Sequence, residues 1–150
     1  MNNSTVIGLA TVALLLCPAI ALGAGKAPDL KGKWVGRTFS IVAGSGGHWP
    51  TSRGTFEKPG LYEKDLVIEV KGQEDRRFWG LQTISGNGEK TEEPFIGELA
   101  GKDNHDVLIA DTDGYLKGEI NGDALSFCYA HAGGKSESSV VSCTTIKRAR

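Results

Sequence analysis

The sequence predicts an all-β domain: a single antiparallel up-and-down β-barrel of about eight strands, with one cross-strand disulfide near the C-terminus. Three observations predict it. Apolar and polar residues alternate with period two, as in Leu66-Val67-Ile68-Glu69-Val70-Lys71. Short loops rich in Gly, Asn and Asp separate the alternating runs, and no segment carries a convincing helical stripe. Glycine is also abundant, with 19 among the 126 residues after position 24, about twice the usual 7%.

The first 24 residues stand apart. Sixteen of them are apolar, against 43 of the remaining 126. Val6 to Leu16 is an unbroken run of 11 non-charged, mostly apolar residues, too short to span a bilayer and suited to a signal-peptide core. Pro18 breaks it, and Ala19-Ile20-Ala21 offers a small-x-small cleavage pattern. Residues 1–24 are therefore expected to be a signal peptide cut after Ala21 or Ala24, leaving a domain over 25–150 that is periplasmic or secreted. No Lys or Arg precedes the core, which departs from the usual pattern. A short membrane anchor is one alternative. A lipoprotein signal ending at Cys17 is another, disfavoured by the bulk of Leu16 before the Cys. No later segment is long or apolar enough for a membrane-spanning helix.

Strands are expected at about 33–42, 62–72, 76–85, 94–100, 106–111, 114–120, 124–131 and 139–147. Phe95-Ile96-Gly97-Glu98-Leu99 and Leu125-Ser126-Phe127-Cys128-Tyr129 repeat the two-residue alternation. Asp111-Thr112-Asp113-Gly114, Asn121-Gly122, Ser85-Gly86-Asn87-Gly88 and Gly133-Gly134-Lys135 supply hairpin turns, since Gly and Asn accept positive φ. Gln73-Glu74-Asp75-Arg76-Arg77 is a mixed-charge turn. Signal removal leaves two cysteines, and an exported domain is expected to bridge Cys128 to Cys143. That bond closes a loop of about 15 residues, worth about 3 kcal/mol by loop entropy. With Cys128 opposite Cys143, Phe127 faces Thr144 and Leu125 faces Ile146. The apolar side chains then share one face and the bridge lies on the other.

Four mid-strand glycines argue for closure into a barrel. Trp34-Val35-Gly36, Phe78-Trp79-Gly80, Phe95-Ile96-Gly97 and Leu116-Lys117-Gly118 each place a large apolar residue and a Gly on the same face. Glycine weakens a strand, so its recurrence there wants a reason. A small barrel needs local bends and room for neighbouring rings.

The opening Gly32-Lys33-Trp34 of the first strand, in a chain of this size, resembles the calycin-type barrels, in which lipocalins and the avidin family begin with Gly-x-Trp. The resemblance implies an eight-strand barrel and carries no ligand or binding residue, because the later aromatic motifs of biotin binders are missing.

Chemistry-bearing motifs are sparse. The net charge of −1, from 17 Lys+Arg and 18 Asp+Glu, argues against a nucleic-acid binder. The loop from Ala43 to Gly54 carries His48 and Trp49 but lacks the Gly-Lys-Ser/Thr of a phosphate loop. Asp111-x-Asp113-Gly114 matches half of a calcium loop, yet Ile109 and Ile120 occupy positions that need oxygen ligands. Glu92-Glu93 reads as a solvated turn rather than a catalytic pair. His48, His105 and His131 accompany no nucleophile at motif spacing. No catalytic residue, metal site or cofactor is expected. The leading expectation is a barrel that binds a small apolar or aromatic ligand, lined by Trp34, Phe78, Phe95 and Leu116, with His48 and Trp49 at the rim. A protein-interaction module, such as a secreted hydrolase inhibitor, is the alternative, followed by an enzyme without a recognisable motif.

Overall fold

In the computed structural model, which describes residues 25–45, 52–132 and 138–150, eight antiparallel strands close into one up-and-down barrel. The strands are β1 (Gly32–Ala43), β2 (Gly60–Glu74), β3 (Arg77–Gly86), β4 (Glu89–Ala100), β5 (Asp106–Ala110), β6 (Tyr115–Asn121), β7 (Ala124–Ala132) and β8 (Ser139–Arg148). Each pairs with its sequence neighbours, and β8 returns to β1 through Ile41–Val141 and Val42–Val140. The strands are staggered. A row of paired residues followed from Leu61 through Ile41, Val141, Ala130, Tyr115, Ala110, Ile96 and Trp79 returns to β2 at Gly72 instead of Leu61. This offset is the shear that tilts strands in a closed barrel.

The expected disulfide is present. Cys128 and Cys143 are joined at 2.02 Å, and the register sets Phe127 against Thr144 and Leu125 against Ile146. Both cysteines are exposed on the outer wall, whereas Leu125, Phe127, Val140 and Ile146 are buried.

One end of the barrel is solid. Trp34, Ile68, Phe78, Phe95, Leu99 and Ile146 meet there in a single apolar cluster. The aromatic-x-Gly pattern now has a geometric reason. On β3 and β4 Phe78 pairs with Gly97, and Gly80 pairs with Phe95. A Cβ on Gly97 would stand 2.5 Å from the Phe78 ring, and one on Gly80 would stand 2.8 Å from the Phe95 ring. Each glycine thus makes room for the other strand's ring, and the two rings meet edge to face at 6.2 Å. Gly36 yields space to the Ile146 side chain, and Gly118 lets the β7 main chain approach, since a Cβ there would stand 2.1 Å from the Ser126 carbonyl oxygen and 2.5 Å from Phe127 Cβ.

The segment entering β1 plugs this end. Leu30 N–H donates to Gln73 Oε1 at 2.7 Å, and Gln73 Nε2 donates to the Pro28 carbonyl at 2.8 Å. The Trp34 indole N–H donates to the Leu30 carbonyl at 3.0 Å. From β8 the Arg148 guanidinium lies 4.3 Å over the Trp34 ring, a cation–π contact. The same guanidinium donates to the carbonyls of Lys31 and Asp29 at 2.8 and 2.6 Å.

Two local differences from the sequence reading have physical causes. Strand β4 begins at Glu89, not near 94, because Asn87 and Gly88 form a tight turn with φ of 53° and 79°. Pro94 is accommodated inside β4, since the β5 ladder begins only at Ile96 and that stretch of β4 pairs on one side alone. The Asp111–Gly114 turn does not use positive φ at Gly114. Instead Asp111 Oδ1 accepts the N–H groups of Asp113 and Gly114 at 3.0 and 2.7 Å.

Candidate functional site

Strand alternation dictates which side chains enter the lumen, and their size dictates whether it fills. Beyond the glycine level the inward positions become short or polar. On β1 Trp34 and Gly36 are followed by Thr38 and Ser40. On β3 Phe78 and Gly80 are followed by Gln82, and on β4 Phe95 is preceded by Glu93 and Thr91. These side chains fill less of the lumen than the aromatic rings of the other half. A cavity of about 350 Å³ remains, within the usual range of small-molecule sites, about 300 to 1,000 Å³. It opens at the end carrying the β1–β2, β3–β4, β5–β6 and β7–β8 connections.

Leu66, Leu116 and Phe127 supply apolar surface low in this cup, and Val42, Ile84 and Val140 supply it higher up. Polar groups sit at two stations on opposed walls. Thr38 and Ser142 join β1 and β8 through a buried hydroxyl–hydroxyl hydrogen bond. Across the lumen, Gln82 on β3 places its Nε2 between two carboxylates. It donates to Glu93 Oε2 at 3.0 Å and to Asp111 Oδ2 at 2.6 Å. Gln82 is 6% exposed and Glu93 7%. Burial raises the pKa of the nearby Tyr129 phenol, and the negative charges of Asp111, Glu93 and Asp113 raise it further. Tyr129 is thereby held as the neutral hydroxyl.

At the rim, Glu89 on β4 accepts hydrogen bonds from Lys64 Nζ at 2.8 Å and from the Arg53 guanidinium. Lys64 first, then Arg53, lowers the Glu89 carboxyl to about 2. Arg53 also lies over the Tyr62 ring, 5.6 Å from its centre, and its carbonyl accepts the Tyr62 hydroxyl at 3.2 Å. Reciprocal bonds at 2.9 Å, Arg53 N–H to Gly44 O and Gly44 N–H to Gly54 O, secure the base of the β1–β2 connection.

The residues singled out by the sequence are distributed between the two halves. Leu116 lines the cup. Trp34, Phe78 and Phe95 are 1%, 2% and 4% exposed in the packed half. The void beside Trp34 and Phe78 is about 10 Å³, room for about one water. His48 and Trp49 lie outside the described residues. The sequence reading did not single out Thr38, Gln82, Thr91 and Ser142, took Glu93 for part of a solvated turn, and placed Tyr129 only on the apolar face. The overlooked signal was parity: continuing the Trp34-x-Gly36 and Phe78-x-Gly80 runs by two residues leads to Thr38 and Gln82, whereas the other two runs continue to the core residues Leu99 and Ile120.

Glu92 and Glu93 lie in a strand, not a turn, and point to opposite faces, Glu92 outward and Glu93 into the lumen. His105 lies in the β4–β5 connection at the plugged end, and His131 lies near the opposite end of the barrel on β7. His131 Nε2 stands 3.2 Å from Ser138 Oγ, both buried, but neither lines the cup. Among the described residues no group of three or more His, Cys, Asp or Glu side chains could hold a metal ion. Comparison with protein-family models, with curated proteins and with solved structures finds no match for this chain.

Proposed function

We propose that this protein is an exported binding barrel that takes a small molecule with an apolar or aromatic body into its open half. The observation that carries this reading is the 350 Å³ cup, with Leu66, Leu116 and Phe127 facing into it above a solid core. A rigid floor lets such a site exist before its ligand arrives, which lowers the ordering cost of binding. Export is supported by the apolar run Val6 to Leu16 and by the Cys128–Cys143 bond, which suits an oxidising compartment.

Two measurements test the reading. Native mass spectrometry of protein purified from its own cell envelope or medium should reveal a non-covalent adduct of small mass. The fluorescent probe 8-anilinonaphthalene-1-sulfonate should bind the purified barrel, and Leu116→Trp, which fills the cup, should abolish that signal. Absence of an adduct together with a probe signal indifferent to Leu116→Trp overturns the proposal.

One observation favours a protein-interaction reading. Phe56 and Leu61, 79% and 77% exposed, flank the same rim. Affinity capture from the native compartment should then yield one stoichiometric partner that Leu61→Asp releases.

A further inference from the structure

The plugged end holds a polar group that the fold leaves half answered. Asn104, in the β4–β5 connection, is 1% exposed and ranks with Trp34 and Leu99 among the most deeply buried side chains. Its Nδ2 donates to the Gly25 carbonyl at 2.5 Å, and this carbonyl partner fixes which end of the amide is nitrogen. Its Oδ1 is buried and has no hydrogen-bond partner among the described residues. A buried acceptor without a partner carries its full desolvation penalty. Asn at a φ of 55° suits a turn by itself. The turn explains the residue type, but not a deeply buried amide with only one end satisfied.

A donor stands at Gly25. The N–H and C=O of one extended residue lie on the same side of the chain, which is how opposed residues of an antiparallel ladder exchange two hydrogen bonds. A side-chain amide carries its own donor and acceptor side by side. An amide bonded to the Gly25 carbonyl can therefore take the Gly25 nitrogen with its oxygen. While Gly25 is joined to Ala24, that nitrogen has one N–H, aimed by the planar peptide bond, and the bond to Oδ1 is not made. A terminal ammonium has three N–H groups that turn about the N–Cα bond. Gly25 is exposed, and a Cβ on it would meet nothing within 4 Å, so an ammonium has room to turn there. The residues that follow hold it in place: Ala27 packs against the core, and Gln73 bonds Pro28 and Leu30.

We infer that the chain is cut between Ala24 and Gly25, and that the α-ammonium so made docks on Asn104 Oδ1 to complete a two-bond clasp on the plug. This rests on the export reading above and deepens it, because it decides between the two cuts that the sequence leaves open. A cut after Ala21 keeps the Gly25 nitrogen in a peptide bond and leaves Oδ1 unanswered. The step is a hydrolysis by a signal peptidase: water adds across the amide, Ala24 leaves as the carboxylate end of the leader, and the Gly25 amine takes up a proton near neutral pH. A hydrogen bond from a charged donor is about twice as strong as a neutral one.

The test starts from the full precursor, exported by its own leader. The intact mass of the product should place its first residue at Gly25. At pH 7 its α-amine should react with an acetylating succinimidyl ester about tenfold more slowly folded than unfolded in urea, because a hydrogen bond to the charged form leaves less neutral amine to react. Ala24→Leu should move the cut to Ala21. That product, beginning at Leu22, should have an unfolding equilibrium constant about tenfold larger, and Asn104→Ala in both products should close the gap. A product that keeps its leader removes the export reading and this inference together. A product beginning at any residue other than Gly25, or a Gly25 amine equally reactive folded and unfolded, overturns the inference and leaves export standing. A stability gap that persists without Asn104 overturns it as well. The mass and reactivity measurements need no variant to fold.

Discussion

The two halves of this barrel are built by the same eight strands, yet one is solid and the other hollow. In the plugged half the inward positions alternate rings with glycines, so Phe78 fits over Gly97 and Phe95 over Gly80. In the open half the same parity delivers Thr38, Ser40, Gln82, Thr91, Glu93 and Ser142. The backbone does not distinguish the halves; side-chain volume and polarity do. Packed interiors derive stability from close contact. The cup gives up that contact and retains hydrogen bonds and a volume that a guest can occupy.

The sharpest way to break this comparison is a large-to-small change in each half. Trp34→Ala should cost about 3–5 kcal/mol, because the indole is 1% exposed and supports both the Leu30 plug and the Arg148 stack. Thr38→Ala in the cup should cost about 1 kcal/mol, the worth of its bond to Ser142. Urea unfolding of both variants measures the difference, and equal losses would mean that the halves share one energetic role. Next in size is Gly97→Ala, expected to cost about 1–3 kcal/mol by overpacking against the Phe78 ring. Phe78→Leu should partly relieve it in a double-mutant cycle. Strict additivity would show that the ring-over-glycine fit is not the coupling described above.

The smallest effect is at the rim. A Glu89 carboxyl held near 2 instead of its ordinary 4.5 binds fewer protons folded than unfolded. Its contribution is present above about pH 4.5 and fades as the pH falls towards 2. Glu89→Gln should lower stability slightly at pH 7 and leave it unchanged near pH 2, which flattens that part of the acid limb. High salt should shrink the effect, because the pair is at the surface. Urea midpoints at several pH values, with and without salt, provide the check. An unaltered acid limb would show that the clasp contributes no acid-dependent stability.

The packed half was easy to read from the sequence for the reason the cup was hard. Alternation shows itself when inward residues are apolar and outward ones are not, as in Leu66, Ile68 and Val70 against Glu69 and Lys71. In Glu89-Lys90-Thr91-Glu92-Glu93 both faces are polar, so the pattern vanishes although the strand continues. Residues that build a wet interior thus look like a solvated turn. Pro94 adds to that disguise, being a residue that ladders usually avoid. The disulfide register was legible because the cysteines fixed the pairing and the apolar residues fixed the face. The exchange of rings and glycines between β3 and β4 was legible only as an unexplained repeat, since its meaning depends on which strands are neighbours.

The plug has a consequence for how the molecule can be held. Gly25 to Lys31 lies across the solid end, and Arg148, two residues before the chain stops, is bonded to it. The described chain enters and leaves on one side, and the mouth faces the other. A bead, a fused carrier or a membrane tether joined at either of these points grips the barrel by its base. A guest could then enter and leave without passing the point of attachment. The same coupling made through the β5–β6 turn at Asp113 would stand in the doorway.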